Sequence, residues 1–274
     1  MKRAMQQYQE QLHISHSQIF CYLACSLKYK FQYVEQRPKE RISLALPFGK
    51  AIHSALERYY RSLMDGGTIV SLDLMETLFE ESLTLELDNA EVPVMFKAEA
   101  SDTASAIQMG NGLLKTFYDN IDLAGMEIVD VELPLSAPLY TDTGEKTDIT
   151  LVGFIDLLLR DAGGNLLVVD NKTSKQKKSQ IAVDDDLQMS AYAYLLAANS
   201  YVFPRAEVNC RFDVLRKLKT PTLEHYFTSR TAENRRRFAK IANSVLAGID
   251  QRIFIPVKGW LCSDCSYADA CSKW

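Results

Sequence analysis

Apolar positions recur at helical spacing through the first third of the chain and close up into short apolar runs beyond it. Residues 15–34 read as a helix capped by Ser15 or Ser17, with Ile19, Tyr22, Leu23, Leu27 and Phe31 as its apolar stripe. Pro47 stands just before a second helix over about 48–64, whose buried side carries Ile52, Leu56, Tyr59, Tyr60 and Leu63. Two more helices are expected over 73–88 and 98–120. Strands follow at 126–139, 150–160 and 165–173; Asp161-Ala-Gly-Gly-Asn165 joins the last two as a short turn, with glycines where positive φ is wanted. A helix over 184–199 begins on Asp184, Asp185 and Asp186, acids suited to its positive end. Strands at 205–216 and 221–228 and an amphipathic helix over 231–252 lead into a cysteine-rich tail. The order predicts an α/β fold in one domain: a helical block (15–120), a mixed central sheet flanked by helices (126–228), and a terminal helix with its tail (231–274).

Composition narrows this picture only a little. A chain of 274 residues, 47% of them hydrophobic, can bury a sizeable core. The first twelve residues are polar, and no run approaches the roughly 18 apolar residues of a membrane span. The expectation is a cytoplasmic protein without a membrane segment. A net charge of −4 argues mildly against nucleic acid as a partner. Local fields matter more than totals, however, and bases cluster at Lys175, Lys177 and Lys178, at Arg216, Lys217 and Lys219, and at Arg235, Arg236 and Arg237. Each cluster reads either as a solvated face or as a phosphate-attracting patch.

The chemistry lies in the central hairpin. Val152-Gly-Phe-Ile-Asp156 and Leu167-Val-Val-Asp170-Asn-Lys172 are apolar enough for a sheet covered on both faces, yet each holds an acid. With the turn centred on Gly163, Asp156 faces Asp170, and opposed Cβ atoms lie roughly 4.5–5.5 Å apart. Two carboxylates at that distance repel, and a divalent cation between them, Mg²⁺ or Mn²⁺, removes the conflict. Lys172 is two residues beyond Asp170 and shares its face, where a cation can stabilise charge on a phosphate. The Asn171 carbonyl offers one more ligand. The same spacing also permits a plain ion pair between Lys172 and either acid.

Asp156, thirteen intervening residues, and then Asp170-Asn171-Lys172-Thr173 in a hairpin resembles the core of the PD-(D/E)XK nucleases in its RecB-like form. Gln188-x-x-x-Tyr192, one turn apart on the next helix, is similar to the Gln-x-x-x-Tyr motif of that branch. Phe48-Gly-Lys-Ala-Ile-His53-x-x-Leu56 resembles its upstream helix, whose histidine is a metal ligand. The resemblance runs from about Ser15 to Cys271, although 65–125 carries no motif. It implies a restriction-endonuclease-like fold and a Mg²⁺- or Mn²⁺-dependent DNA exonuclease preferring single-stranded ends. Asp156, Asp170 and Lys172 would be catalytic, with His53, Asp156, Asp170 and Asn171 as metal ligands and Gln188 and Tyr192 on the DNA. Repair, recombination or CRISPR adaptation would be its setting, with a helicase or CRISPR-adaptation proteins as partners. The alternative is a subunit that binds DNA ends or acts as a scaffold without cutting. Glu132, on the preceding strand, is a further acid whose place the sequence leaves open.

Six cysteines in a chain read as cytosolic argue against disulfides. Cys262-x-x-Cys265-x5-Cys271 supplies three thiolates, and a tetrahedral zinc or a cubic cluster needs a fourth from Cys25, Cys21 or Cys210. The segment from Ser17 to Phe31 resembles the early segment of RecB-like exonucleases, in which one early and three terminal cysteines hold a 4Fe–4S cluster. That likeness implies Cys25, Cys262, Cys265 and Cys271 as ligands. Ser26 departs from the family pattern, which has proline there, and Cys21 is a substitute one turn earlier. Cys210, without a matching partner, reads as a core thiol. Zn²⁺ is the rival metal.

Overall fold

The computed structural model describes residues 13–66, 68–97, 100–141 and 143–274. β1 (His13–Ser15) runs straight into α1 (His16–Ala24). Ser15 caps this helix: its hydroxyl accepts the Gln18 N–H at 3.3 Å while the Gln18 side chain accepts the Ser15 N–H at 2.8 Å. The helix expected over 15–34 is not continuous. Cys25 is extended (φ −166°, ψ 101°), a single turn α2 (Ser26–Tyr29) follows, and a π-helical turn (Lys30–Val34) ends the segment. Next come β2 (Ile42–Ser43), α3 (Ala45–Met64), α4 (Leu72–Asp88), β3 (Val94–Met95) and α5 (Thr103–Asn120). Asp102 caps α5, so this helix begins later than 98; residues 98–99 lie outside the described ones.

The sheet strands are β4 (Met126–Tyr140), β5 (Lys146–Asp161), β6 (Leu166–Ser174), β7 (Val208–Arg216) and β8 (Thr222–Arg230), joined by β1. Between β6 and β7 lie α6 (Gln180–Asp184) and α7 (Leu187–Ala198); α8 (Ala232–Asp250) and the short α9 (Ala268–Ser272) close the chain. The short α6 stands ahead of the helix expected over 184–199, which is α7 and begins at Leu187. Ser179 caps the first and Asp186 the second, because each side chain accepts an N–H of the turn it precedes.

The sheet is mixed: β5 pairs antiparallel with β4 and β6, β6 pairs parallel with β7, and β7 pairs antiparallel with β8. Each face carries its own core. On one side α3, α4 and α5 bury Phe48, Leu56, Phe79 and Phe117 against Leu157, Leu159 and Val169. On the other, α1, α7 and α8 bury Ile19, Leu195 and Phe238 against Leu151, Ile155 and Val168. The close approach of α5 to α4 requires Gly110, where an added Cβ would fall 2.1 Å from the Phe79 ring. Among the described residues, no helix is long and apolar enough to cross a membrane.

Candidate active site

The hairpin pairs as the sequence predicts, with Leu157 opposite Val169 and Leu159 opposite Leu167. The ladder ends at Leu157 and Val169, one step before the two acids. Further along the same edge, β1 takes over β5 at Thr150, Leu151 and Val152. Between these two neighbours, Gly153–Asp156 keep only β4 as a strand partner among the described residues. A cleft opens there.

Both strands behind the cleft change face at the same point. On β4, Val131 packs in the α3–α5 core, whereas Leu133, Leu135 and Ala137 pack in the opposite one; the same switch separates Leu157 from Ile155 on β5. Odd positions alone cannot change sides in a regular strand, so one residue on each strand must break the pleat. On β4 it is Glu132, with a left-handed φ of 52°. Its position falls between the pairs Val131–Leu157 and Leu133–Ile155, opposite Asp156. A non-glycine residue in that conformation is costly and needs its surroundings to hold it.

α3 completes this corner. His53 Nδ1 lies 3.4 Å from Asp156 Oδ2, and ligand atoms of His53, Glu132 and Asp156 all fall within 4.8 Å of one another. Burial, the Asp156 charge and then Glu57 push the Glu132 carboxyl up to about 8. Asp156 Oδ2 also accepts the Asn171 N–H at 2.8 Å, which ties the corner to β6. Carboxylate oxygens are hard donors that suit Mg²⁺ and Mn²⁺, and the His53 imidazole is a borderline donor beside them.

The second half of the site surrounds Asp170, which is fully buried. Lys172 Nζ lies 2.7 Å from its Oδ2, and the Gln188 amide donates to its Oδ1 at 2.7 Å. The same amide donates to the Tyr192 hydroxyl at 2.7 Å, and that hydroxyl stands 3.5 Å from Asp170 Oδ1. Oδ2 has no hydrogen-bond partner beyond its ion pair with the lysine. Burial raises the Asp170 carboxyl to about 6; Lys172 opposes that rise and Asp156 adds to it. Burial works against the charge on Lys172, but Asp170 and Asp156 together hold its ammonium above the ordinary value. The Asn171 side chain turns the other way, its Oδ1 lying 3.4 Å from the Tyr60 hydroxyl.

The structure thus brings His53 and Asp156 together with Glu132, and Asp170 and Lys172 together with Gln188 and Tyr192. One neighbour has no signal in the sequence. His16, the first residue of α1, lines the cleft beside Gln188 and Tyr192. Burial holds its imidazole down to about 4 against the charge of Asp186, with Lys172 lowering it further. A lone histidine after a serine carries no spacing that points to a site. Of the expected basic clusters, Arg216 is bound by Glu224 at 2.9 Å, and buried Arg235 donates to the Ala206 and Pro204 carbonyls.

Far along the chain, the cysteines gather where the tail meets the early segment. Cys25, Cys265 and Cys271 pack around Leu27, Phe31 and Tyr267. The Cys271 thiol is raised by burial and then by Cys25, Cys265 and Cys262. Cys21 is near as well: burial raises it to about 11, with Cys25 and Cys265 adding to the rise. Cys210 sits apart, fully buried within the sheet core. Ser26 binds the tail in both directions, accepting the Ile255 N–H at 2.8 Å and donating to the Ile255 carbonyl at 3.3 Å. The Glu40 carboxylate accepts the Asp269 and Ala270 N–H groups at the start of α9, and Arg41 pairs with Asp269 at 3.1 Å.

No curated protein matches this sequence. Among solved structures, a candidate exonuclease from Eubacterium rectale superposes with a TM-score of 0.55 at 11% identity, over 98% of this chain and 91% of that one. A second structure, SSO0001, gives 0.38 at 14% identity over 90% and 94%. At 11% identity the first likeness speaks to fold alone, and nothing is drawn from the second. The decisive comparison is with the family model of the PD-(D/E)XK nuclease superfamily, which matches residues 13–272. Its span includes both halves of the cleft and the cysteine tail: the chain belongs to the PD-(D/E)XK nuclease superfamily.

Proposed function

We propose that this nuclease is a Mg²⁺- or Mn²⁺-dependent deoxyribonuclease that degrades DNA from single-stranded ends. One observation carries the reading: His53, Glu132 and Asp156 converge on a point beside the Asp170–Lys172 pair, where β6 leaves β5. These four acidic and imidazole side chains, with the Asn171 carbonyl, are the ligands for one or two ions. A divalent cation there supplies charge neutralisation at the phosphate and a more acidic water. Lys172 orients the attacking water and offsets charge growing on the phosphate. Gln188 and Tyr192 fix the Asp170 carboxylate and border the path of the strand. A subunit that only bound ends would have no need of this full set.

Incubating purified protein with labelled single-stranded DNA and Mn²⁺ tests the proposal. Products shortened from one end, absent in Asp170→Ala and Lys172→Ala, are the expected result. Binding without cleavage under any divalent metal would leave the scaffold reading in its place. A helicase and CRISPR-adaptation proteins are the partner classes the resemblance implies.

The cysteine clasp belongs to the same proposal, as a 4Fe–4S cluster on Cys25, Cys262, Cys265 and Cys271. Tetrahedral zinc on the same thiolates is the rival metal; the resemblance of the segment from Ser17 to Phe31 to RecB-like exonucleases is what favours the cubic cluster. Such a cluster suits a reducing, cytoplasmic setting. The two cores on one shared sheet support reading 1–274 as a single nuclease domain.

A further inference from the structure

The cleft that opens along Gly153–Asp156 extends away from the carboxylates toward the early segment, with a volume of about 600 Å³. Its wall on the active-site side is Gln188 and Tyr192, the two residues that hold Asp170. Elsewhere it is lined by rings: His16 on α1, Tyr29 and Tyr33 on the turns after it, and Phe154 on β5. Gln18 and Gln36 add amides at its margin. Among the described residues that line it, none is a lysine, an arginine, an aspartate or a glutamate. The adjoining site is the opposite, dense with charge.

That contrast selects the occupant. A phosphate would seek cations, and the described lining offers rings and amides instead. A flat, neutral group with polar edges fits rings and amides, and a nucleobase is such a group. We propose that this cleft is a nucleobase site, which receives the unpaired base of the nucleotide next to the phosphate held at Asp170 and Lys172. The assignment rests on the nuclease reading for that phosphate and deepens it, because only an unpaired base can leave its stack to enter.

The local backbone is built around this wall. Tyr33 stands on the π-helical turn, and such turns recur at functional sites. Its ring is backed by Tyr29 at a centroid distance of 5.0 Å, and Tyr29 by Tyr22 at 5.6 Å. Gln36 adopts a left-handed φ of 49°, unusual for a residue other than glycine. At the floor, Gly153 lets α7 close in, since an added Cβ would lie 2.8 Å from Leu195 and 3.6 Å from the Tyr192 ring.

The test is a double-mutant cycle between ring and base, read as binding affinity in the Asp170→Asn background so that strands stay intact. Short single strands are compared with copies that carry one abasic nucleotide, scanned along the sequence. At one position the abasic change should weaken binding about tenfold, the low end of a base–aromatic stack. Tyr33→Ala should weaken the intact strand by a similar factor and make the abasic change harmless, while Tyr33→Phe keeps the original affinity. If Tyr33→Ala does not fold, Phe154→Ala takes its place in the cycle. An abasic penalty of equal size with and without the ring, or none at any position, overturns the proposal. Cleavage by the unmodified protein separates the two ideas. Cutting with no base–ring coupling sinks the base site and leaves the nuclease; coupling in a protein that never cuts does the reverse.

Discussion

Glu132 and Asp170 keep their protons to higher pH in the folded chain than in the unfolded one, about 8 and about 6 against ordinary values of 4.5 and 3.8. The folded state therefore binds protons more tightly between those limits. The stability these two groups contribute is full below about pH 4 and is lost as pH rises through about 6 and about 8. A divalent cation takes the place of the proton. The unfolding temperature should thus fall from pH 5 to pH 8 in chelator, and Mn²⁺ should raise it more at pH 8 than at pH 5, as calorimetry with and without the ion would record. An equal effect of Mn²⁺ at both pH values would argue against ion binding at these carboxylates. Glu132→Gln removes one charge without changing shape. It should stabilise the cation-free protein at pH 8, weaken Mn²⁺ binding by at least about tenfold, and slow cleavage by about a hundredfold or more. The sequence made Asp156, Asp170 and Lys172 legible because a hairpin with a short turn fixes register by counting, and Leu157 does face Val169. Glu132 could be named as a further acid on the preceding strand, but its place in the site was not legible. Its role depends on a left-handed φ that reverses the strand's faces, and no residue type marks that reversal in a chain without glycine there.

The helix α7 carries Gln188 and Tyr192 to Asp170, and its start is held by a buried arginine as well as by its Asp186 cap. Arg230, on β8, donates to the Val183 carbonyl at 2.9 Å, the Asp186 carbonyl at 3.0 Å and Ser190 Oγ at 3.0 Å. It holds the end of α6, the cap of α7 and the first turn of α7 in one cluster. Three consecutive aspartates look like one helix start in the sequence; the boundary between two helices inside them comes from β8, far along the chain. The break at Cys25 has a similar origin, in bonds from Ser26 to Ile255 on the tail. Arg230→Met fills similar space but removes the charged donor that joins these three acceptors, which keep only their local partners. It should cost about 2–4 kcal/mol of stability in denaturant unfolding, since a hydrogen bond to a charged group contributes about 1.5–3 kcal/mol. Cleavage measured below the unfolding transition should fall as well, because Gln188 would lose its fixed approach to Asp170. Unchanged activity in a destabilised Arg230→Met protein would show that α7 finds its register unaided.

At the scale of the whole molecule, the early segment and the cysteine-rich tail meet beside the cleft, and the meeting has two components. The first is polypeptide: the Ser26–Ile255 exchange, Glu40 on the start of α9, Lys97 to Asp264 at 2.5 Å, and Tyr22 to the Ile253 carbonyl at 2.8 Å. The second is the proposed metal cluster, which would close a loop of well over two hundred residues between Cys25 and the tail. Tyr29 and Tyr33 follow Cys25 within a few residues, so the segment that carries the ring wall is the one the clasp anchors. Removing the metal should therefore do two things together: lower the unfolding temperature, and weaken single-strand binding while Asp156, Asp170 and Lys172 stay in place. Anaerobic protein should be brown, with visible absorption that zinc cannot give. Cys25→Ser, Cys262→Ser, Cys265→Ser and Cys271→Ser should each bleach it, whereas Cys210→Ser, buried in the sheet core, should leave the spectrum unchanged. Cys21→Ser decides the remaining ligand choice, because Cys21 and Cys25 both lie near Cys265. Bleaching by Cys21→Ser with colour retained in Cys25→Ser would move the ligand one turn up α1 and detach the cluster from the ring wall. Colourless protein that holds one zinc would keep the clasp and its stabilising role while removing the iron.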